Sequence, residues 1–144
     1  MLQKEKAAAL AKEALRMRSL SYHPYSGFAV GAALMGKSGR IYSGCNIENA
    51  AFTPTNCAER TAFFKAVSEG EREFEAIAIA GGAEQAQLPL EECPPCGVCL
   101  QVMMEFCDPE SFEIILVRTE EDYGSCRLRD LLPKGFGPGQ IAEE

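Results

Sequence analysis

The chain has 144 residues, of which 47% are hydrophobic and 24% are charged, and its formal net charge is −7. This length and composition are typical of one globular domain, residues 1–144, that buries enough apolar surface to fold without disulfide bonds. The excess of acidic side chains argues against a polymeric nucleic acid as a partner, because a phosphate backbone is itself negatively charged.

The first half of the chain predicts one helix followed by two strands. Apolar residues recur at helical spacing over 3–19, and turn-forming residues predict a loop over 21–27. The nearly continuous apolar run 28–35 favours a strand that is buried on both faces. Residues 37–39 then predict a hairpin turn into a second strand over 40–47.

The second half of the chain predicts alternating helices and strands. In chain order these are a helix (57–69), a strand (74–80), a loop (81–95), a helix (96–106), a strand (112–117), a short helical turn (128–132) and an irregular tail from residue 134. The order α-β-β-α-β-α-β indicates an α/β sandwich with a mixed sheet.

The cysteines predict a reducing environment. There are seven, whereas secreted proteins stapled by disulfide bonds usually carry an even number. The first residues lack the apolar core and cleavage site of a signal peptide, and no segment approaches the length of a membrane span. We therefore expect a cytoplasmic protein with reduced cysteines and no membrane partner.

Two segments carry candidate chemistry. Cys57 and Glu59 form a Cys-x-Glu segment, and Cys96 and Cys99 form a later Pro-Cys-x-x-Cys segment. Structural zinc sites usually have four protein ligands, whereas catalytic sites have three and leave one position for water. Three cysteines with a neighbouring glutamate therefore predict a zinc-activated water beside a proton shuttle. The combination is the three-cysteine form of the signature of zinc nucleobase deaminases.

Both segments fall where a loop enters a predicted helix. Unpaired amide N–H groups and the positive end of the helix dipole favour a thiolate there, and metal binding requires the thiolate form. Cys96 and Cys99 are one turn apart, so both sulfurs can point to one side of the helix start. If the two helices pack side by side on the sheet, the sulfur of Cys57 can join them.

Two simpler interpretations of these cysteines stay open: buried structural cysteines, or a structural zinc site with four cysteine ligands. Cys93 is the candidate fourth ligand, since it precedes Cys96 by three residues. The two prolines between them should hold Cys93 extended and pointing away, so we expect it not to bind the metal. The isolated cysteines are interpreted as small buried hydrophobes: Cys45, Cys107 and Cys126.

Three polar residues near these segments have alternative interpretations. Glu59 suits the first turn of any helix, but two residues from Cys57 it can also move a proton from the activated water to a substrate ring nitrogen. Arg60 can donate to the sulfur of Cys57 and offset the charge of three thiolates, or it can be an ordinary exposed helix arginine. His23, the only histidine, is interpreted as a solvated loop side chain rather than a ligand.

These segments belong to a longer set that resembles the small homotetrameric cytidine deaminases. The matching segments are 22–28, 30–34, 44–50, 57–62, 95–99 and 131–133, with Phe136 near the end. They extend over most of the chain and are highly specific together, although either zinc segment alone is only moderately so. The resemblance implies a three-layer α/β/α sandwich with a mixed central sheet of five strands, one more than the patterns predict.

The resemblance also implies a set of site residues. One zinc ion per subunit would be held by Cys57, Cys96 and Cys99, with Glu59 as the proton shuttle. The backbone of Ala58 and the carbonyl of Cys96 would contact the pyrimidine edge and its amino group.

Further residues are implied to bind the rest of the substrate. Asn46 and Glu48 would hydrogen-bond a sugar hydroxyl, as an amide and a carboxylate at a strand end can. Phe28 would stack near the base, although by itself it is typical of a strand core. Phe136 would reach into the site of a neighbouring subunit, which makes the homotetramer part of catalysis.

The implied activity is hydrolytic deamination of cytidine and deoxycytidine to uridine and deoxyuridine with release of ammonia, a step of pyrimidine salvage. Two departures from the family pattern bear on it: Leu100 stands where an arginine is common, and Phe52 stands nearest to a common tyrosine. With Leu100, Arg60 alone must offset the thiolate charge. The alternatives are a deaminase of the same fold that acts on a cytosine-bearing antibiotic, such as blasticidin S deaminase, and a zinc-binding scaffold without activity.

Overall fold

The computed structural model describes residues 2–141 as a five-stranded mixed sheet with helices on both faces. The main elements are α1 (Lys4–Met17), β1 (Phe28–Gly36), β2 (Ile41–Cys45), α2 (Ala58–Ser68), β3 (Phe74–Ala83), α3 (Gly97–Phe106), β4 (Glu113–Val117), β5 (Tyr123–Arg127) and α4 (Leu128–Leu131). Short 3₁₀ helices cover Arg18–Leu20 and Pro138–Gln140. The predicted α/β/α sandwich is confirmed.

The sheet has the strand order β2-β1-β3-β4-β5. The strands β3 and β4 are parallel, and α3 lies in the chain between them, as a parallel connection requires. The pairs β1–β2, β1–β3 and β4–β5 are antiparallel. The sheet is therefore mixed, as the order of predicted elements indicated.

The alternation of side chains along β3 separates two hydrophobic cores. Ile77 and Ile79 point to one face, where they pack with residues of α2, α3 and α4. Ala76 and Ala78 point to the other face and pack with α1. Because successive strand residues face opposite sides, one strand serves both cores, and the small residues leave room for α1.

The packing of α1 against β1 is close at Gly31. A Cβ atom added there would lie 2.0 Å from the carbonyl oxygen of Ala14 in α1. Only a residue without a side chain fits this contact, which fixes the height of α1 above the sheet.

The predicted elements are all present, with differences at their ends and one omission. Cys57 and Cys96 precede α2 and α3 as extended N-cap residues, so each helix begins one residue later than predicted. The strand β3 continues to Ala83, into what was predicted as loop. The omitted element is β5, a partly exposed edge strand whose sequence lacks an apolar run; the fifth strand implied by the family resemblance was therefore right. No helix within residues 2–141 is long and apolar enough to cross a membrane.

Candidate active site

Three cysteine sulfurs converge at the starts of α2 and α3. Cys57 is the N-cap residue of α2, Cys96 is that of α3, and Cys99 lies in the first turn of α3. The Sγ atoms of Cys57 and Cys96 are 3.8 Å apart, and all three sulfurs lie within 4.8 Å of one another. The predicted convergence is confirmed, and a set of three sulfurs fits a zinc ion with one position left for water.

Cys93 is outside this group. Among residues 2–141, the group of side chains close enough to hold a metal ion contains Cys57, Cys96 and Cys99. Cys93 is half-buried, and its Sγ atom lies 2.7 Å from where a Cβ on Gly81 would be. The hypothesis of a four-cysteine site is therefore not supported. The isolated Cys45 and Cys107 are buried as predicted, and Cys126 is half-buried.

The thiolate form is stabilised by hydrogen bonds within the site. The Nη2 atom of Arg60 lies 3.2 Å from the Sγ atom of Cys57. A hydrogen bond with the Cys99 thiol, together with Arg60, lowers the pKa of Cys57 to about 5. Arg60 is therefore not an exposed helix arginine, and its buried Nε atom has no hydrogen-bond partner within residues 2–141. Leu100 is buried in the hydrophobic core that also contains Cys99.

The carboxyl group of Glu59 is almost completely buried beside the sulfurs. The residue is 4% exposed and lies in the first turn of α2. Burial, reinforced by the charge of Cys57, raises the pKa of Glu59 to about 7. A carboxyl group that gains and loses its proton near neutral pH is suited to move protons in both directions.

A cavity of about 300 Å³ opens over this group. It is lined by most of the residues that the sequence predicted as site residues: Phe28, Asn46, Glu48, Cys57, Ala58, Glu59 and Cys96. Larger cavities occur elsewhere on the surface, but this one adjoins the cysteine group. Cys99 lies beneath it, 1% exposed.

Asn46 is buried at the cavity wall, and most of its polar capacity is used by β1. Its Oδ1 atom accepts the backbone N–H of Val30 at 2.8 Å, and its Nδ2 atom donates to the carbonyl oxygen of Phe28 at 2.9 Å. Ser21 also contacts Oδ1 through its hydroxyl group. An amide has two N–H hydrogens and two acceptor lone pairs, so one N–H remains for a ligand.

Glu48 is held beside Asn46 by the loop that precedes β1. Its Oε1 atom accepts the backbone N–H groups of Tyr25 at 3.0 Å and Ser26 at 3.1 Å, and its Oε2 atom contacts the Ser26 hydroxyl group. These bonds, the hydroxyl first, hold the pKa of Glu48 below its ordinary value. The group therefore offers an ionised acceptor at one end of the cavity.

The apolar residues of the predicted site differ in how exposed they are and in whether they line the cavity. Phe28 is 41% exposed and lines the cavity, so it is not a core aromatic. Ala58 is buried at the first position of α2, where the backbone N–H has no partner inside the helix. Phe136 is 55% exposed and does not line this cavity; its carbonyl oxygen accepts from Gln101 at 2.8 Å.

The interpretation of His23 as a solvated side chain is wrong. Its side chain is only 12% exposed, and its Nδ1 atom lies 2.8 Å from the hydroxyl oxygen of Ser21. Ser21 connects it to Asn46. The sequence did not predict a role for Ser21, because a serine is common in a turn-rich segment. The one feature that could have indicated it is the single histidine of the chain, two residues later.

The sequence profile of the family described as "Cytidine and deoxycytidylate deaminase zinc-binding region" matches residues 4–113. This range includes the three sulfurs and the cavity. The chain belongs to this family.

Individual members of the deaminase family match over nearly the whole chain. A cytidine deaminase of Sporosarcina psychrophila is 47% identical over 133 residues, which are 92% of this chain and 93% of that protein. A cytidine deaminase of Halalkalibacterium halodurans is 46% identical over 88% of this chain and 91% of its own length. The crystal structure of a cytidine deaminase from Burkholderia pseudomallei aligns with a TM-score of 0.78 and 41% identity, covering 94% of this chain and all of that chain.

Proposed function

We propose that the protein is a zinc-dependent cytidine deaminase that hydrolyses cytidine and deoxycytidine to uridine and deoxyuridine and releases ammonia. The observation that carries this proposal is the position of Glu59: a buried carboxyl group beside three converging sulfurs, at the floor of a cavity. A zinc-binding scaffold has no use for such a group, because burying a carboxyl group costs stability. The similarity to cytidine deaminases of other organisms supports the same substrate.

The cysteines are proposed to hold one zinc ion per subunit. Thiolate sulfurs are preferred zinc ligands, and Cys57, Cys96 and Cys99 would hold the ion, with water as the fourth ligand. Cys57 and Cys96 also line the cavity. When bound, zinc supplies a Lewis acid that makes water a nucleophile at neutral pH. Arg60 offsets part of the negative charge that three thiolates bring.

Glu59 is proposed to move the protons of the reaction. It takes a proton from the attacking water and delivers it to N3 of the cytosine ring, which makes C4 electrophilic. The water oxygen adds to C4, and a second proton transfer through Glu59 reaches the amino nitrogen. The C4–N bond then breaks and ammonia leaves, so one water is consumed for each ammonia released. Burial beside the sulfurs raises the pKa of Glu59 above its ordinary value, which brings it closer to the range in which one group can both accept and donate a proton.

The remaining cavity residues are proposed to hold the nucleoside. Phe28 contacts the base, and the free N–H of Ala58 and the carbonyl of Cys96 contact its polar edge. Asn46 provides one N–H and Glu48 provides an ionised acceptor to a sugar hydroxyl, which can donate and accept at once.

The charge of the cavity favours a nucleoside over a nucleotide. Among the described residues that line it, none is lysine or arginine, and the carboxylate of Glu48 lies at the proposed sugar end. A 5′-phosphate needs a cation or a cluster of N–H donors. We therefore propose that the substrate is a free nucleoside rather than deoxycytidylate. A nucleoside substrate corresponds to a role in pyrimidine salvage, which we propose takes place in the cytoplasm.

Assembly is proposed to complete the site. Phe136 is exposed, as are Tyr25 and Phe52 beside the sugar end of the cavity. Exposed aromatic side chains close to a site are typical of a surface that another chain covers. We propose a homotetramer in which Phe136 of each subunit reaches a neighbour's cavity.

Turnover of cytidine tests the function directly. Zinc-loaded protein is incubated with cytidine, and the fall in ultraviolet absorbance is followed as uridine forms. Glu59→Gln should keep the fold and the zinc content while losing turnover by about 10²–10⁴-fold. Zinc-loaded, assembled wild-type protein that fails to convert cytidine or deoxycytidine would overturn the proposal, and zinc-loaded Glu59→Gln with full activity would remove the shuttle role.

A further inference from the structure

His23 belongs to a hydrogen-bonded chain of side chains that ends at Asn46. The Nδ1 atom of His23 lies 2.8 Å from the Oγ atom of Ser21, and the same Oγ atom contacts Oδ1 of Asn46. The histidine side chain is 12% exposed and Asn46 is 8% exposed. The chain therefore connects the loop before β1 to the cavity wall, largely out of contact with water.

The backbone bonds of Asn46 fix the direction of the hydrogens in this chain. Its Nδ2 atom donates to Phe28 and its Oδ1 atom accepts from Val30, so the oxygen side of the amide faces Ser21. The Oγ atom of Ser21 also lies 3.2 Å from the backbone carbonyl oxygen of Asn46. Both oxygens of Asn46 can only accept, so the Ser21 hydroxyl group must donate towards Asn46. The Ser21 oxygen then offers only lone pairs to His23, and the Nδ1 atom of His23 must carry a hydrogen.

The other ring nitrogen of His23 faces a carboxylate, with Nε2 lying 3.6 Å from Oε1 of Glu84. A neutral ring with its hydrogen on Nε2 would leave a bare Nδ1 towards Ser21. The Ser21 hydroxyl group would then turn to Nδ1 and leave its oxygen lone pairs against Oδ1 of Asn46, an unpaired contact in a buried place. The arrangement therefore requires a hydrogen on Nδ1, whatever Nε2 carries.

We propose that His23 is a positioning residue that, through Ser21, holds the amide of Asn46 in the orientation that binds the nucleoside sugar. This inference rests on the proposed function and deepens it. Within residues 2–141, one N–H of Asn46 makes no hydrogen bond to the protein, so any rotation of the amide removes the donor that the sugar hydroxyl needs. His23 contributes to substrate binding without touching the substrate.

Two variants of similar shape separate the hydrogen bond from the filling of space. His23→Asn keeps an N–H close to the position of Nδ1, whereas His23→Leu has none. His23→Leu should raise KM for cytidine about fivefold, the effect of one buried hydrogen bond, with kcat changed less than about twofold. His23→Asn should stay within about twofold of wild type in both constants. In a Ser21→Ala background, His23→Leu should add no further increase, because the connection is already broken.

Truncated nucleosides show whether the effect passes through the sugar. 3′-Deoxycytidine and 5′-deoxycytidine each lack one of the hydroxyl groups that cytidine shares with deoxycytidine. The increase in KM caused by His23→Leu should disappear when the substrate is the nucleoside that lacks the hydroxyl group bound by Asn46. An increase that persists with both nucleosides, or His23→Asn as impaired as His23→Leu, overturns the proposal.

The hydrogen on Nδ1 can be observed without turnover. His23 is the only histidine, so ¹⁵N spectra of histidine-labelled, tag-free protein show a single imidazole ring. The chain of hydrogen bonds is supported if Nδ1 carries a hydrogen in wild type and if, in Ser21→Ala, that hydrogen is lost from Nδ1 or shared with Nε2. A neutral ring with a bare Nδ1 in wild type overturns it. If zinc-loaded wild type does not convert cytidine, the proposed function and the sugar role fail together, while the spectrum still decides the bond between His23 and Ser21.

Discussion

The Nη2 atom of Arg60 lies 3.2 Å from the Sγ atom of Cys57, the N-cap residue of α2 three positions earlier. Three thiolates around a divalent ion carry one excess negative charge, in a chain whose net charge is already −7. Leu100 lies in the core and brings no charge to the site. Arg60 is therefore the cation that stabilises the cysteine group.

Replacing Arg60 by methionine should weaken zinc binding about 10–100-fold, since partners that hydrogen-bond to metal ligands contribute on this scale. The side-chain length is similar, but the charge and the donors are lost. Competition with a chromophoric chelator measures the affinity. Arg40→Met is the matched control, because Arg40 is exposed and pairs with Glu69 far from the sulfurs. Equal zinc affinity of the two variants would contradict the assigned role.

The convergence of the three sulfurs could be predicted because it depends on local rules. Cysteines at two helix starts and a spacing of one turn place the sulfurs together once both helices lie on the same face of the sheet. Which loops reach the cavity depends on tertiary contacts, and so the burial of His23 could not be predicted. Its ring nitrogens lie near Ser21, which contacts Asn46, and near Glu84, which is 61 residues away in the chain.

The pH dependence of stability should report the hydrogen bonds of Glu48. Its folded pKa lies below the ordinary value because Ser26 and the backbone N–H groups of Ser26 and Tyr25 stabilise the carboxylate. As the pH falls, the unfolded chain binds this proton first. The stability that Glu48 contributes is thus complete above about pH 4.3, the ordinary value, and is lost as the pH falls through the lower folded pKa.

Comparing wild type with Glu48→Gln by urea unfolding at several pH values tests this. The difference in the free energy of unfolding should be largest near neutral pH and should shrink below the ordinary carboxyl pKa. Glu91→Gln, at an exposed position, should show no such trend. A difference for Glu48→Gln that grows as the pH falls would show that the carboxylate is destabilised in the folded protein.

Gly31→Ala should destabilise the protein by about 3 kcal/mol, the upper range for overpacking a tight contact. The added Cβ would lie 2.0 Å from the backbone oxygen of Ala14, and a backbone atom cannot move aside as the end of a side chain can. Gly139→Ala is the control, because a Cβ there meets no atom within 4 Å. Its free energy of unfolding should change by less than about 0.5 kcal/mol. Similar urea midpoints for both variants would mean that α1 can shift on the sheet.

The strands differ in how well the sequence predicted them, and the reason is burial. The strands β1, β3 and β4 are central and apolar on both faces, so a continuous hydrophobic run marks each. Within residues 2–141, the strand β5 pairs with β4 alone and holds Gly124 at a partly exposed and Ser125 at an exposed position. The strand β5 is stabilised by its partner rather than by its own hydrophobicity, so it leaves little pattern in the sequence. The strand β2, at the opposite edge, could be predicted because a hairpin turn at 37–39 precedes it.

Combining two impaired variants in one oligomer should restore activity if Phe136 acts in a neighbouring subunit. Phe136 does not line the cavity of its own chain, so the proposal requires another subunit to supply it. Glu59→Gln and Phe136→Ala should each lower kcat/KM for cytidine, the first through the chemistry and the second through substrate binding. In mixed oligomers, a subunit with Phe136→Ala keeps Glu59 and can receive Phe136 from a Glu59→Gln neighbour.

The two variants are co-expressed with different affinity tags, and the oligomers that carry both tags are isolated for the assay. The mixed oligomers should be several-fold more active per intact Glu59 than oligomers of Phe136→Ala alone, because some of their sites regain both residues. As a reference, Glu59→Gln is co-expressed with wild type and purified in the same way. Every subunit of these oligomers carries Phe136, so each intact Glu59 has a neighbour that can supply it. If Phe136 served its own subunit, each mixed site would lack one of the two residues, and the mixture would be no more active than its parts. That outcome would leave the oligomer as a structural assembly and would remove Phe136 from the substrate site.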